Sequence, residues 1–398
     1  MGAARIAIVG AGPAGLTAAL AARQLGLAVD VFEQAADFRP LGGGLLLQSN
    51  GLRVLHALGL LDALAPSLQV VRTLALEAVG GPTLARVDYR SVAIPYNYAA
   101  VVLRYDLQGH LLAAAERAGA RVHFGHRCQV VVRSGASVLL GFDDGREHEA
   151  SAVVAGDGVR SVVRQSLRLP ARAWAPGEAY LRGVAPVRLT AAGVRELWGA
   201  DGRRFGLAPL PGDRTYFYCS APLGNWPAVR ATGLAGWLAS WDGFGPAVQA
   251  ALAAVTDWPA VSYSELAEVE LGRWWQGPVF LTGDAAHAMT PNLGQGANSA
   301  MVDALVLLRL LAPALAAGGD LEAVGRRYDA LRRPFVTRIQ RAARQAGALA
   351  RLTSPPARRL RDLLLPLSQR LGPLRRQLIL LGAGYHPAED EYLRAGVP

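Results

Sequence analysis

The most informative absence in this sequence is lysine. All 41 basic side chains among the 398 residues are arginines, set against 31 acidic residues, and the formal net charge at pH 7 is +10. A chain without lysine cannot use a P-loop lysine, a pyridoxal Schiff base or a lysine general base. The sequence therefore excludes these chemistries. The arginine excess indicates solubility and attraction of anions, and we predict no nucleic-acid partner.

Cysteines are scarce, and so are long uninterrupted apolar runs. Cys128 and Cys219 are the only cysteines, so we expect no disulfide framework and predict a cytoplasmic location. The apolar stretch over residues 304–317 is interrupted by Arg309 and Pro313. It falls short of the roughly 20 residues that a bilayer span requires, and we predict no transmembrane segment.

Apolar residues are abundant. Hydrophobic residues make up 52% of the chain and charged residues only 18%, which indicates a globular protein with a sizeable core. The length favours two domains.

The N-terminus carries the pattern of a dinucleotide-binding unit. Residues 5–9 are an apolar run typical of a buried parallel strand, and the glycine-rich turn of residues 10–15 (GAGPAG) follows directly. A helix is predicted over residues 16–25 and a second strand over residues 28–32, which leads to Glu33. The glycines permit a tight turn and close approach to a pyrophosphate, while Glu33 is placed to accept hydrogen bonds from an adenosine ribose.

Two later motifs place an aspartate beside glycine at the end of a predicted strand. Residues 152–155 form one such strand and lead to Asp157, and residues 279–282 form the other and lead to Asp284. A glycine-rich segment and a helix predicted from Ser299 onward follow the second motif. The carboxyl edge of a parallel sheet is where doubly wound folds bind cofactors.

Together the three motifs resemble the class A flavoprotein monooxygenases, the FAD-dependent aromatic hydroxylases typified by p-hydroxybenzoate and salicylate hydroxylases. The resemblance covers most of residues 5–345. It implies an α/β fold with a Rossmann-like FAD-binding domain, an inserted antiparallel β-sheet substrate domain and C-terminal helices. The implied ranges are 1–72, 104–173 and 270–345 for the discontinuous FAD-binding domain, 73–103 and 174–269 for the substrate domain, and 346–398 for the C-terminal helical segment.

The resemblance also implies which residues contact the cofactors. Asp284 would hold the flavin-side ribose, the loop of residues 41–50 would lie near the isoalloxazine, and the helix after Gly294 would point its N-terminus at the flavin pyrimidine ring, where it stabilises negative charge. The predicted FAD contacts are Gly10, Gly12, Ala14, Gly15, Glu33, Gln34, Gly43, Gly44, Arg104, Asp157, Asp284, Gly294, Gly296, Ala297 and Asn298. The candidates for contact with NADH or NADPH, the transient co-substrate, are Arg160 and Arg164.

The middle of the chain has a different composition. Residues 174–269 alternate polar and apolar positions and hold six of the eight tryptophans, which predicts an antiparallel sheet whose edge includes residues 74–79 and 101–103. Tyr216 and Tyr218 share one face of their strand by the period of two, and each could contact a phenol or be a core aromatic. The predicted substrate contacts are Gln48, Tyr216, Tyr218, Pro291 and Asn292.

The implied activity is hydroxylation of an aromatic or polycyclic small molecule with NAD(P)H and O2, through a flavin C4a-hydroperoxide, by a monomer or homodimer. Because the chemistry resides on the flavin, no catalytic side chain is predicted with certainty. Two alternatives remain: an FAD-dependent reductase or epoxidase of the same fold acting on an isoprenoid or quinone, and a non-enzymatic FAD-binding protein. Flavin-dependent halogenases of this fold depend on a lysine, and the sequence has none.

Three further features receive an ordinary structural interpretation. The ligand-type residues between His123 and Cys128 fit a strand–turn–strand segment without a fourth ligand nearby, so no metal site is predicted. His287 is expected to shape the flavin site rather than to act as a base. The arginine-rich residues 321–381 are expected to form the solvated face of helices packed on the FAD domain, with a basic helix on an anionic membrane as the alternative.

Overall fold

The structure is a computed structural model that describes residues 5–39, 43–134, 137–190, 193–222 and 226–394. Leu41 and Gly42, which belong to the predicted glycine-rich loop, lie outside the described residues, as do the ends of the predicted domain ranges at residues 1–4 and 395–398.

Strands and helices alternate along the N-terminal part of the chain, and helices alone follow residue 296. The strands of the described residues are β1 Arg5–Val9, β2 Ala28–Glu33, β3 Gly44–Leu47, β4 Gln69–Val71, β5 Thr73–Ala78, β6 Thr83–Asp88, β7 Ala99–Leu103, β8 Arg121–Phe124, β9 Cys128–Ser134, β10 Ser137–Phe142, β11 Glu147–Ala150, β12 Ala152–Ala155, β13 Ala171–Trp174, β14 Glu178–Ala185, β15 Gly193–Trp198, β16 Arg204–Leu210, β17 Arg214–Pro222, β18 Ser262–Glu265, β19 Glu268–Leu271, β20 Trp275–Gln276 and β21 Val279–Leu281. The α-helices are α1 Pro13–Gln24, α2 Ser49–Ala57, α3 Leu61–Leu64, α4 Arg104–Arg117, α5 Val162–Ser166, α6 Trp226–Ala231, α7 Gly233–Ala239, α8 Pro246–Leu252, α9 Asp284–His287, α10 Gly296–Ala316, α11 Leu321–Ala350, α12 Pro355–Ser368 and α13 Gly372–Gly382. The 3₁₀ segments are Ala65–Ser67, Tyr89–Ser91, Trp258–Ala260, Pro291–Leu293 and Pro387–Leu393.

A six-stranded sheet in the order β20-β21-β12-β1-β2-β8 forms the first layer. Strand β1 pairs in parallel with β2 and β12, and β12 pairs in parallel with β21. Ile6 and Ile8 are fully buried because both faces of the sheet are covered, which is why β1 is a continuous apolar run. The predicted strands over residues 5–9 and 152–155 are confirmed, and the predicted α/β fold class is confirmed with them.

Helix α10 lies in the core of this layer beside α1 and begins three residues earlier than the sequence predicted. With 21 residues from Gly296 to Ala316, it is the one described helix whose length and hydropathy would permit a membrane crossing. Of its most apolar window, 67% is buried inside the fold. Such burial is typical of a core helix that is hydrophobic all round.

A seven-stranded sheet in the order β18-β14-β17-β16-β15-β5-β6 forms the second layer. All its pairings are antiparallel except that of β15 with β5. One face packs against α6, α7 and α8 through Phe205, Phe217 and Trp241, and the other face packs against the β3–β7–β4 sheet through Ala208 and Tyr216. The predicted antiparallel sheet is therefore confirmed.

Two details of this layer differ from the sequence prediction. The strand at residues 101–103 does not join the seven-stranded sheet, because β7 pairs with β3 and β4 in a separate antiparallel sheet. The tryptophan-rich segment also contains α6–α8, and Trp237 of α7 and Trp241 of the following turn cover one face of the sheet. Part of the aromatic residues of this segment therefore belongs to the helical cover and not to the strands.

The C-terminal helices enclose a buried ion-pair network. The Arg332 guanidinium on α11 donates to Asp303 Oδ1 (2.8 Å) and to Glu389 Oε1, and all three side chains are at most 1% exposed. Arg332 therefore corrects the expectation that the arginines of this segment form a solvated face.

The network predicts a pH dependence of stability that acts through Glu389. Burial raises the pKa of the Glu389 carboxyl to about 7, from its ordinary value of 4.5, despite the ion pair with Arg332. A carboxyl whose pKa is raised on folding stabilises the fold while it is protonated, so stability falls as the pH rises from about 4.5 to about 7. We expect urea unfolding at about pH 5 and about pH 8 to reveal this loss in the wild type and a smaller one in Glu389→Gln. Equal pH dependence in both proteins would contradict the assignment.

Candidate FAD site and substrate face

The glycine-rich turn between β1 and α1 combines close packing with open space. Gly10 has φ +97°, and a Cβ on Gly15 would lie 1.9 Å from the Gly10 carbonyl oxygen. Around Gly12, by contrast, a Cβ would meet no atom within 4 Å. Helix α1 begins directly after Gly12, so its free N–H groups border this open space, as a bound pyrophosphate requires.

The three sequence motifs meet at Ala14. A Cβ on Gly156 would lie 3.3 Å from the Ala14 Cβ, and a Cβ on Gly283 would lie 3.4 Å from it. At Gly283, where φ is +58°, a Cβ would also come within 2.8 Å of the Ala300 Cβ on α10. The structure thus brings residues that are far apart in sequence to one edge of the six-stranded sheet, as the strand-end argument predicted.

Glu33 and Arg104 lie on either side of this turn. The Glu33 carboxylate accepts hydrogen bonds from the backbone N–H groups of Ala11 (2.8 Å) and Ala35 (2.9 Å) and is partly exposed. The exposed Arg104 donates to Gln108 Oε1 (3.0 Å), and Gln108 Nε2 donates to the Ala11 carbonyl (3.3 Å). Both side chains therefore border the open space above the turn. Gln34 is exposed beside Glu33.

Asp157 has a carboxylate oxygen without a partner. Its Oδ2 accepts from the Val163 N–H (3.1 Å), while Oδ1 is buried and has no hydrogen bond among the described residues. Burial raises the pKa of this carboxyl above its ordinary value. An orphaned buried acceptor at this sheet edge is suited to a hydroxyl or N–H donor of a bound group.

The two arginines of the same motif occupy different environments. Arg160 is exposed, whereas Arg164 is 7% exposed and donates to the carbonyl oxygens of Ala285 and Val159, both at 2.8 Å. Arg164 thus ties the second motif to the third. This geometry does not favour the predicted contact of Arg164 with NAD(P)H, because its guanidinium is buried against backbone carbonyls.

Asp284 and His287 are the first and last residues of helix α9. Asp284 is exposed at the sheet edge, next to the strand end of β21. His287 is 1% exposed, and its Nε2 bonds Asp303 Oδ2. The Asp303 carboxylate also accepts from the Gly283 N–H (3.2 Å). His287 therefore supports the Gly283 turn through Asp303. Its Nε2 points to Asp303 and not to the open space at the sheet edge.

The start of α10 is joined to the turn between β3 and α2. Asn298 Oδ1 accepts from the Gln48 N–H (3.0 Å), and its Nδ2 donates to the carbonyls of Leu46 (2.9 Å) and Gly294 (2.7 Å). Gly294 has φ +62°, a left-handed conformation that favours glycine. The hydrogen bonds of the Asn298 side chain are all made with backbone groups, and they position this turn. Gly296 and Ala297 begin α10 and leave its first N–H groups at the same place.

The residues present fit FAD. The turn at Gly12 offers open space at a helix N-terminus, and Asp157 Oδ1 is a buried acceptor without a partner among the described residues. Among the described residues, no group of three or more His, Cys, Asp or Glu residues is arranged to hold a metal. His123 instead bonds Asp30 (2.8 Å) and stacks on Phe32.

One face of the seven-stranded sheet is turned towards the Gly43–Gly44 loop. A Cβ on either glycine would lie 2.6 Å from the Tyr216 ring, so this ring packs directly on the loop. Tyr216 and Tyr218 lie side by side with ring centroids 6.0 Å apart, which confirms that they share a face. We name this the substrate face; its side chains are Tyr180, Arg182, Glu196, Arg204, Tyr216 and Tyr218.

The substrate face contains a buried charge pair that the sequence did not indicate. Glu196 accepts from Arg204 Nε (2.7 Å), from Trp198 Nε1 (2.7 Å) and from the Tyr218 hydroxyl. Arg204 also donates to Asn292 Oδ1, and Asn292 Nδ2 donates to the Ala343 carbonyl (2.8 Å). Asn292 therefore bridges the sheet to α11, while the neighbouring Pro291 is exposed. The sequence held one indication of Glu196: it is a charged residue in a largely apolar strand, at a position whose side chain points to the same side as apolar neighbours.

Arg182 is the cation of this face without a carboxylate partner among the described residues. It is half-buried, donates to Ser264 Oγ and stacks over the Tyr180 ring at 5.5 Å. Its side chain reaches the loop, since a Cβ on Gly43 would lie 2.9 Å from the Arg182 Cδ. Gln48 is also buried here, and its Oε1 has no hydrogen-bond partner within the described part of the chain.

Comparison with known proteins gives one consistent result. Residues 3–343 match the family model described as FAD binding domain. The chain is 32% identical over 361 residues to a 3-amino-4-hydroxybenzoate 2-monooxygenase of Streptomyces cremeus, covering 88% of this chain and 89% of that protein. It is 32% identical over 317 residues to a 2-heptyl-3-hydroxy-4(1H)-quinolone synthase of Pseudomonas aeruginosa, covering 77% and 81%. The crystal structure of Klebsiella pneumoniae HpxO complexed with FAD and uric acid matches with a TM-score of 0.82 at 25% identity, covering 95% and 97%.

These similarities confirm the resemblance stated from the motifs. They support the monooxygenase interpretation and not the reductase, epoxidase or non-enzymatic alternatives. The chain belongs to the FAD-binding-domain family and, within it, to the class A FAD-dependent aromatic hydroxylases.

Proposed function

We propose that this protein hydroxylates an aromatic small molecule that carries an acidic group, using FAD as the resident cofactor and NAD(P)H and O2 as co-substrates. The observation that carries the acidic group is Arg182, a half-buried guanidinium on an aromatic face with no carboxylate partner among the described residues. Guanidinium forks bind carboxylates and phenolates well in such settings.

The chain's own residues would perform three tasks at this site. The Gly12 turn, Glu33, Arg104, Asp157, Asp284 and the start of α10 would hold FAD, which supplies the oxygen-activating chemistry when bound. Tyr216 and Tyr218 would flank the substrate ring. The buried Glu196–Arg204 pair would fix the sheet and help to exclude water from the reacting centre. Arg160, exposed at the same edge, remains the candidate for contact with the phosphates of NAD(P)H.

We also propose that the chain divides into the discontinuous FAD-binding domain, the substrate domain and the C-terminal segment in the ranges given from the sequence. Within residues 73–103, β7 is the exception, since it pairs with strands of the FAD side.

The proposed function is tested with the purified protein. We expect a yellow protein whose NAD(P)H oxidation and O2 uptake are stimulated by members of a panel of phenols, hydroxylated benzoates and N-heterocyclic acids. For a stimulating acid, Arg182→Met should raise KM by about tenfold with little change in kcat, because it removes a charge-assisted contact made in the ground and transition states alike. An ester or amide of the same ring should show no such difference between the two proteins.

Two outcomes would contradict the proposal. A colourless protein that does not take up FAD would contradict the assignment of FAD as the cofactor. An unchanged KM for the acid in Arg182→Met, with FAD content preserved, would contradict the acidic substrate class but not the hydroxylase activity.

A further inference from the structure

The C-terminal helix pair α12–α13 carries an apolar stripe that faces solvent. Of the fourteen large apolar side chains that are exposed among the described residues, seven lie between residues 360 and 378. Four of them lie at helical spacing on α12 and two on α13, and the seventh lies between the two helices. We name them the leucine stripe: Leu360, Leu363, Leu364, Leu367, Leu371, Leu374 and Leu378, with exposed fractions of 56, 60, 51, 43, 58, 39 and 48%. So many large exposed apolar side chains within one short segment mark an interaction site.

Helix α12 is oriented opposite to an ordinary surface helix. Its Arg361 is 4% exposed, lies over the Trp198 ring at 5.2 Å and donates to the Leu349 carbonyl (3.0 Å), while the leucines point outward. Surface helices normally turn the apolar side to the core and the charged side to water. The fold therefore attaches α12 through Arg361 and Leu365 and leaves its other leucines exposed.

The charge around the stripe selects the kind of partner. Residues 352–386 contain six arginines and a single acid, Asp362, which pairs with Arg361 at 2.7 Å. Four of these arginines are exposed and form no ion pair among the described residues: Arg359, Arg370, Arg375 and Arg376. A second copy of the chain would bring like charges together, whereas an anionic lipid surface complements both the arginines and the leucines.

The helix pair also borders the candidate site. Through Arg361 and Leu365, α12 contacts Trp198, whose indole N–H donates to Glu196 of the substrate face. At the other end, the Gly382 carbonyl of α13 accepts from Gln295 Nε2 (2.8 Å), directly before α10. The leucine stripe is thus attached to both the substrate sheet and the start of α10.

We propose that the leucine stripe and its four exposed arginines bind the surface of an anionic phospholipid membrane, with α12 and α13 lying in the plane of the interface. The attachment is peripheral, because each helix is too short to span a bilayer. This inference does not depend on the proposed substrate or activity.

The test is sedimentation of the full-length protein with vesicles of phosphatidylcholine alone and of phosphatidylcholine mixed with phosphatidylglycerol. We expect at least tenfold stronger partitioning to the anionic vesicles, and we expect it to weaken as salt is added. Replacing Leu363, Leu364 and Leu367 together by serine should reduce partitioning at least tenfold. The matched control is Val130→Ser with Val132→Ser, which alters exposed apolar residues on β9 and should leave partitioning unchanged.

The charge is tested separately. Changing Arg359, Arg370, Arg375 and Arg376 to glutamine should lower partitioning by roughly fivefold per arginine. The same change at the exposed Arg86, Arg117, Arg168 and Arg230 serves as the control for net charge and should have a much smaller effect. Circular dichroism and the Tm of each variant verify that the fold is retained.

Three results of the vesicle experiments would overturn the proposal. These are no binding of the wild type to anionic vesicles, undiminished binding of the folded leucine variant, and equal loss in both arginine sets. A wild-type dimer that becomes monomeric in the leucine variant would also overturn it, because a second copy would then cover the stripe.

Discussion

Replacing Arg332 with methionine is expected to destabilise the protein by about 4 kcal/mol, in the range found when one partner of a buried ion pair is removed. The guanidinium contacts Asp303 and Glu389, and none of the three side chains is more than 1% exposed. Without the cation, two carboxyl groups would remain buried next to each other, and ionising them at pH 8 would leave buried charges without a partner. Denaturant unfolding monitored by circular dichroism measures the change, provided that the slope m stays constant.

Two further variants make this prediction specific. Arg333→Met removes the neighbouring arginine on the same helix, whose partner is Asp329 and whose side chain is 34% exposed. Its cost should be about 1 kcal/mol or less because solvent screens the pair. Adding Glu389→Gln to Arg332→Met should recover part of the lost stability at pH 8, because a buried carboxyl without its cation must either carry an uncompensated charge or stay protonated far above its ordinary pKa. Equal costs for Arg332→Met and Arg333→Met would refute the buried network.

Alanine substitutions at two glycines of the same turn should affect different quantities: stability at Gly15 and FAD affinity at Gly12. Gly15→Ala places a methyl group 1.9 Å from the Gly10 carbonyl, so the strand–turn–helix unit must shift, at a cost of about 3 kcal/mol. Gly12→Ala places a methyl group in open space and should change stability by about 1 kcal/mol or less. That methyl group would occupy the space left for the pyrophosphate, and FAD affinity should therefore fall by at least about tenfold, or 1.4 kcal/mol.

The measurements are urea unfolding of the FAD-free protein and fluorescence titration with FAD. Gly272→Ala is the control, because Gly272 is exposed and a Cβ there also meets no atom within 4 Å, away from the turn. It should leave both quantities unchanged. Unaltered FAD affinity in Gly12→Ala would show that the open space is not the pyrophosphate site.

The parts of the candidate site that could be predicted from sequence are those with local signals. A strand followed by GAGPAG and a helix is specified within about 20 residues, because glycine φ values and short apolar runs act over one turn of chain. The strand ends at Asp157 and Asp284 could be placed near this turn for the same reason, since parallel strands share a carboxyl edge.

The substrate face could not be predicted because it depends on strand register. Arg182 stands opposite Tyr218 in the β14–β17 pairing, and Gly206 stands opposite Tyr218 in the β16–β17 pairing. A shift of one residue in either pairing would turn these side chains to the opposite face. The sequence identified Tyr216 and Tyr218 as neighbours along one strand, and only the register added Arg182, Glu196 and Arg204 around them.

The sequence by itself determined the family, the cofactor class and the chemistries excluded by the absence of lysine, because each of these follows from residue identity and short-range spacing. The tertiary structure decided which arginines are buried and which are free. Arg164, Arg332 and Arg361 are attached within the fold, whereas Arg182 faces the candidate site and the arginines beside the leucine stripe face solvent. Arginines are alike in sequence, and their roles differ because burial and the nearest acceptor depend on contacts between residues far apart in the chain.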